Sequence, residues 1–204
     1  MNTIEFNEDE RDCLQELMNI SYGGATASIS KILNSFATLQ IPQLQIIPST
    51  SLYEYLDSKI SSNQDQLVAS QILNGELGGE NLFIIDYQSA KNLALEFDLD
   101  YDDMTEDDLF DIVLETANIM SSSTIGRLAG ELESHVLFAP PSIQKVSQIS
   151  KLGNRYILEY QQVIVISTKL EFEEQSISAQ LLFLTNDESI LWLKERINKI
   201  LEEY

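Results

Sequence analysis

The pattern Asp-x3-Glu-x2-Asn-x22-Pro occurs twice in this 204-residue chain, from Asp12 to Pro42 and again from Asp111 to Pro141. Laying residue 12 on residue 111 pairs Asp12 with Asp111, Glu16 with Glu115, Asn19 with Asn118, Ile20 with Ile119, Leu33 with Leu132 and Pro42 with Pro141, with no gap. Such a repeat predicts two equivalent halves, each contributing one long helix and the strand after it, and hence a pseudo-two-fold fold. The length suits one domain over residues 1–204 with a core that needs neither disulfide nor metal.

The first copy lies on a predicted helix over residues 8 to 33. Asn7 followed by Glu10 forms a capping-box pattern, and Leu14, Leu17, Met18, Ala25, Ile29 and Ile32 recur at helical spacing. At about 100° per residue, Asp12, Glu16, Asn19 and Gly23 form a stripe on the side away from those apolar residues, so the motif should face water. Thr105 with Asp108 announces a second helix reaching about residue 133. There Asp111, Glu115, Asn118 and Ser122 form the matching stripe, away from Leu109, Ile112, Val113, Ile119 and Met120. After Ser121 to Ser123 the apolar face drifts, which fits either a kink or a change of packing partner.

Residues 38–47 and 66–73 read as strands, with an irregular stretch between them. Asn74-Gly75 and Gly78-Gly79 mark turns before a strand at 81–85, and a short helix follows at 87–96. Runs at 155–172 and 177–184 form a second hairpin. Thr185 with Glu188 caps a C-terminal amphipathic helix carrying Ile190, Leu193, Ile197, Ile200 and Leu201. Helices mixed with antiparallel strands, without βαβ alternation, predict an α+β fold.

Composition narrows the chemistry. A net charge of −21 disfavours nucleic acid and anionic membrane, and favours a partner presenting lysine or a bound cation. No segment approaches the roughly 20 apolar residues of a membrane span, and Met1 to Glu10 lacks a secretory pattern, so a cytoplasmic location is expected. A single cysteine, Cys13, and a single histidine, His135, leave no zinc spacing and argue against a Cys/His or Ser/His nucleophile. Cys13 reads as a mostly buried helix residue and His135 as a structural one. Asp98, Asp100 and Asp102 imitate the start of a calcium loop, but Asp103 stands where glycine is required and Leu109 where a bidentate glutamate is required. No metal site is expected.

Within the motif, Asp12 and Asp111 suit the positive end of a helix macrodipole. Pro42 and Pro141 direct the chain at a strand. The Glu/Asn pairs are the chemical candidates: an asparagine amide donates and accepts, so it can fix a water molecule, and a glutamate can grip a lysine or arginine of a docked protein. The stripes hold no nucleophile, metal cage or phosphate loop. Any substrate must therefore bring its own electrophile and cation.

These residues resemble the CheC, CheX and FliY family of chemotaxis phosphatases, whose signature is Asp or Ser, then x3-Glu-x2-Asn-x22-Pro, matched in full by both copies. Glu16-Leu17-Met18-Asn19-Ile20 followed by Gly23-Gly24-Ala25 is similar to the first CheC helix, although many relatives have asparagine where Gly24 stands. With no further domain after Tyr204, CheC is the expected nearest member. The resemblance implies an antiparallel sheet flanked by two long helices, and a substrate that is the phospho-aspartyl form of the response regulator CheY, which carries Mg²⁺. Glu16 and Glu115 would pair with a lysine of the regulator, and Asn19 and Asn118 would orient water for in-line attack. The competing expectation is a non-enzymatic adaptor, with the deamidase CheD as a possible partner. A hydrolase using Glu16 and Glu115 as a carboxylate pair is disfavoured, because outward stripes on separate helices do not bring them together.

Overall fold

The computed structural model describes residues 4–59, 65–147 and 161–203. Helix α1 (Glu8–Ile32) begins at the expected capping box: the Asn7 side chain accepts from the Glu10 N–H at 2.9 Å, and the Glu10 carboxylate accepts from the Asn7 N–H at 2.8 Å. Strands β1 (Thr38–Leu39) and β2 (Gln43–Pro48), a single 3-10 turn (Ser49–Ser51) and helix α2 (Leu52–Lys59) follow. Next come the hairpin β3 (Gln66–Gly75) and β4 (Gly79–Asp86), and helix α3 (Tyr87–Leu95). The second half runs through α4 (Glu106–Glu131), β5 (Val136–Phe138), β6 (Ser142–Val146), β7 (Gln162–Phe172), β8 (Ile177–Thr185) and α5 (Asp187–Glu202). None of the described helices is long and apolar enough to cross a membrane.

Every strand pairing is antiparallel, and the sheet runs β1-β7-β8-β4-β3-β5, with β2 also on β7 and β6 also on β3. The strands alternate between two buried faces. Leu67, Ala69, Leu73, Phe83, Ile85, Ile164, Ile166, Leu181 and Phe183 join the larger core with the apolar sides of α1 and α4, which also pack on one another. Val68, Leu82, Ile84, Val163, Val165, Leu182 and Leu184 form the opposite face, covered by Leu52 and Leu56 of α2. Each fully buried leucine or isoleucine contributes about 1.5–3 kcal/mol, so the helix positions follow from covering the sheet.

Several sequence expectations change at this level. Residues 38–47 are not one strand: the chain breaks at Pro42, which has no N–H for the ladder, into β1 and β2. The stretch after Pro48, expected to be irregular, holds α2, whose Leu52 and Leu56 lie one turn apart and fully under the sheet. Ile32, placed on the core face by periodicity, is 52% exposed, because α1 ends there and Leu33 turns into the core instead. Helix α5 is capped by Asn186, which accepts from the Ser189 N–H; Thr185 instead ends β8 and donates its hydroxyl to the Gly78 carbonyl at 2.5 Å. The early part of the expected 155–172 run falls outside the described residues, and β7 begins at Gln162. Helix α4 continues unbroken past Ser121, where the serine is buried and accepts a hydrogen bond from Asn81 of β4 at 2.7 Å. The hairpin turn between β3 and β4 requires Gly75, whose φ of 124° and approach to the His135 carbonyl exclude a side chain.

Helix α5 locks the two long helices in place. The Glu10 side chain, 2% exposed, accepts from Lys194 Nζ at 2.6 Å and from Asn198 Nδ2 at 2.8 Å. Arg196 Nε donates to the Leu132 carbonyl at the end of α4 at 2.8 Å. Burial alone would raise the Glu10 pKa, but the hydrogen bonds from Lys194, the Asn7 backbone and Asn198, with the Lys194 charge, hold it below its ordinary value. A carboxylate depressed by folding stabilises the fold above its unfolded pKa of about 4.3, and that contribution is lost as pH falls through the folded value. Glu10→Ala should therefore lower stability by about 2 kcal/mol at neutral pH, since it removes a cap and leaves buried donors unpaired. In urea titrations, the midpoints of wild type and Glu10→Gln should differ at pH 7 and converge as the carboxylate is protonated in acid.

Candidate functional site

Packing one face of α1 and α4 against the sheet turns their opposite faces outward. Asp12 and Glu16 are exposed on α1, and Asp111 and Glu115 are exposed on α4. None of these four carboxylates forms a side-chain hydrogen bond or ion pair with another described residue, so each stays available to a docked partner. The asparagines, one turn after the glutamates, are both half-buried rather than fully exposed. That differs from the water-facing stripe read from periodicity: the asparagines stand at the edge of the packed face, where Leu17, Met18, Ala117 and Met120 are buried. Gly23 continues the α1 stripe, is exposed, and has nothing within 4 Å of the place a Cβ would take. On α4, Ser122 is exposed and donates to the Asn118 carbonyl at 2.7 Å.

The two prolines have matching places. Pro42 is buried between β1 and β2, and Pro141 is half-buried between β5 and β6. Just before them, the Gln40 N–H bonds the Lys169 carbonyl and the Ala139 N–H bonds the Ile72 carbonyl, each at 3.0 Å. The motif thus joins a helix to a strand crossing that lies against β7 in one half and β3 in the other.

The side chains reaching these crossings differ. Gln71 of β3, 3% exposed, donates from Nε2 to the Ala139 carbonyl at 2.9 Å and to Asn118 Oδ1 at 3.0 Å. In the first half the neighbouring residue is Thr168 of β7, also 3% exposed, which donates from Oγ1 to the Gln40 carbonyl at 2.5 Å. No side-chain hydrogen bond joins Asn19 to any described residue. Neither Gln71 nor Thr168 was among the expected site residues. Each left a signal: a polar residue at a helix-facing place of an otherwise apolar alternation, in Leu67, Ala69, Gln71, Leu73 and in Ile164, Ile166, Thr168, Leu170.

A small cavity between α1, α4 and the sheet is lined by Tyr22, Gln71, Met120 and Thr124 among others. Among the described residues, the buried Gln71 Oε1 and Thr124 Oγ1 have no hydrogen-bond partner. Burial raises the Tyr22 phenol pKa, keeping it a neutral hydroxyl. Cys13 is half-buried against the core, and burial pushes its thiol pKa up, the wrong direction for a thiolate nucleophile. His135 is exposed rather than packed into the apolar run around it. Among the described residues, no three His, Cys, Asp or Glu side chains gather into a group able to hold a metal ion. Exposed carboxylates beside asparagine amides are groups that can accept from a cation and hydrogen-bond a water molecule.

No protein-family model matches the chain. The flagellar motor switch phosphatase FliY of Bacillus subtilis is 24% identical over 177 residues, which are 83% of this chain and 44% of FliY. The chain thus spans less than half the length of that relative. Among solved structures, Thermotoga maritima FliY matches with a TM-score of 0.73 at 19% identity, over 96% of this chain and 99% of that one. The FliM middle domain of H. pylori matches with a TM-score of 0.60 at 12% identity, over 94% of this chain and 99% of that one. A Borrelia burgdorferi CheX, solved as a CheX–CheY–BeF3–Mg²⁺ complex, matches with a TM-score of 0.52 at 13% identity, over 83% of this chain and 98% of that one. At these identities the structural likeness establishes the fold.

The open space at Gly23 makes a stability prediction. A helical glycine costs up to about 1 kcal/mol relative to alanine, so Gly23→Ala should raise the unfolding free energy by close to that amount in chemical denaturation. Gly24→Ala should gain less, because its Cβ would stand 3.1 Å from Arg127 Nη1 and the arginine must shift.

Proposed function

We propose that the chain belongs with the CheC, CheX and FliY proteins and hydrolyses the aspartyl phosphate of a CheY-like response regulator, a reading supported by its sequence similarity to FliY and the fold it shares with FliY and CheX. The observation that carries this reading is the pair of exposed glutamates, Glu16 and Glu115, without a side-chain partner among the described residues and each one turn before an asparagine on the outward edge of its long helix. Glu16 and Glu115 anchor a lysine of the regulator. Asn19 and Asn118 orient a water for in-line attack on phosphorus. Phosphoryl transfer needs little covalent help from the protein, and rate comes from geometry and charge stabilisation. In this reading Mg²⁺ is carried by the regulator, and the chain contributes none. The Borrelia CheX complex, which contains CheY together with BeF3 and Mg²⁺, supports a CheY-like partner.

The acidic surface agrees. With 33 carboxylates against 12 lysines and arginines, the protein attracts a lysine-bearing partner and repels a free anion, so the phosphoryl group is approached through its cationic surroundings. A second reading, a non-enzymatic adaptor, draws on the likeness to the FliM middle domain. In that case the Glu/Asn stripes would serve docking alone, on a switch component or a CheD-like deamidase. The two readings separate by preference: an adaptor has no need to favour a phosphorylated regulator.

The test is loss of radiolabelled phosphate from regulators of the source organism. The double variant Asn19→Ala/Asn118→Ala should abolish the acceleration while still binding the regulator. Glu16→Ala/Glu115→Ala should raise the regulator concentration needed for half-maximal rate by tenfold or more, the scale of losing a charge-assisted contact of about 1.5–3 kcal/mol. A double asparagine variant that still speeds dephosphorylation would overturn the mechanism.

A further inference from the structure

We infer that Gln71 is a positioning residue that presets the Asn118 amide, and that the second motif is therefore the faster of two unequal sites. This inference rests on the phosphatase reading and deepens it.

The Ala139 carbonyl can only accept a hydrogen bond. Gln71 must therefore turn its NH2 toward Ala139, where Nε2 lies at 2.9 Å, and the same NH2 meets Asn118 at 3.0 Å. Both hydrogens of that group are now used, so Asn118 has to present Oδ1 inward. Its own NH2 then points away from Gln71. It is left to donate to the oxygen of a water or of a phosphoryl group, and the second lone pair of Oδ1 remains free. The choice between the two ends of the Asn118 amide is thus made by a backbone carbonyl through a glutamine that is 3% exposed and held in the sheet.

The first half meets its own carbonyl with a different side chain. Gln40 is bonded to β7 as Ala139 is to β3, and the side chain that reaches its carbonyl is Thr168, one residue before the Lys169 that accepts the Gln40 N–H. Gln71 likewise precedes Ile72, which accepts the Ala139 N–H. The two places correspond. A threonine hydroxyl has one hydrogen, already given to the Gln40 carbonyl, so it has none left to donate to Asn19. Asn19 accordingly has no partner among the described residues, and its amide must be ordered when the regulator docks. Freezing a side chain at that moment costs rate at that site.

The sheet itself supplies the variant that separates positioning from structure. Gln71→Thr copies the Thr168 arrangement: it keeps a donor for the Ala139 carbonyl and releases Asn118. With the full chain and a phosphorylated regulator, Gln71→Thr should slow the second site about fivefold, the scale of one ordinary hydrogen bond, and so lower the total maximal rate about threefold while the first site works on, with the half-saturating regulator concentration unchanged. Asn118→Ala should cost more than Asn19→Ala, and Gln71→Thr added to Asn118→Ala should lower the rate no further. A full maximal rate in Gln71→Thr, or equal losses from the two asparagine variants, overturns the inference. A readout independent of activity is the side-chain amide dynamics of the free wild-type protein by ¹⁵N NMR relaxation. Asn118 should be restrained on the ps–ns scale and Asn19 mobile. Equal mobility overturns the positioning role even if Gln71→Thr fails to fold. If the wild type does not speed dephosphorylation while Asn118 is restrained, it is the phosphatase reading that falls and the positioning contact that stands.

Discussion

The sheet face formed by Ala69, Phe83, Ile85, Ile164, Ile166, Leu181 and Phe183 has to be covered, and α1 and α4 cover it together. Leaving that face in water would forfeit the largest block of apolar burial in the molecule. Each long helix is thereby committed to one orientation about its own axis, with Leu14, Met18, Ala25 and Ile29 of α1 and Leu109, Val113, Met120 and Ile125 of α4 turned inward at 0–1% exposure. The position of the Glu/Asn pairs follows from this commitment. A residue one turn along from Glu16 or Glu115 falls at the margin of the packed face, close enough for the sheet to touch and open enough for a partner to reach. The glutamates, farther round, are exposed and form no side-chain hydrogen bond or ion pair with another described residue.

That margin is where the two halves part company. On the helix-facing side of the sheet, most places hold apolar residues, and the exceptions have tasks. Asn81 bonds Ser121 and keeps α4 seated after its apolar face drifts, while Gln71 ties Asn118 to the strand crossing at Ala139. Buried polar groups cost free energy unless paired. The pairing of Gln71 nevertheless leaves its buried Oε1 without a partner among the described residues. A polar side chain kept there at that cost is consistent with a role at the helix surface rather than in stability. Thr168 fills the matching place more economically, with one donor for one carbonyl.

Helix α5 contributes to the same end from outside the site. Through Lys194 and Asn198 it holds Glu10 at the start of α1, and through Arg196 it caps the end of α4. The start of one motif helix and the end of the other are thus fixed by one element, which limits how far the two outward faces can move independently. The exposed acidic stretch from Asp98 to Asp108 plays a local part by comparison: Asp108 closes the Thr105 capping box that starts α4, and its hydrogen bonds from the Thr105 side chain and backbone hold its carboxyl below the ordinary value.

Much of this was legible in the residues themselves. The periodicity of Leu14, Leu17 and Met18 fixed which side of α1 is buried, the capping boxes at Asn7 and Thr105 marked both helix starts, and the glycine pairs marked the β3–β4 turn. The α+β class and the exposure of Glu16 and Glu115 follow from those local patterns, because helix phase and turn geometry are short-range properties. Less was visible where long-range contacts decide. Pro42 split a strand, Asn186 rather than Thr185 capped α5, and α2 formed because Leu52 and Leu56 found the far face of the sheet. The repeat by itself determined that two Glu/Asn pairs exist and made them look alike. Only the tertiary structure decided that they are unlike, since the residues that distinguish them, Gln71 and Thr168, lie on strands far along the chain from the asparagines, and no helical pattern records which side chain a neighbouring strand will bring beneath it.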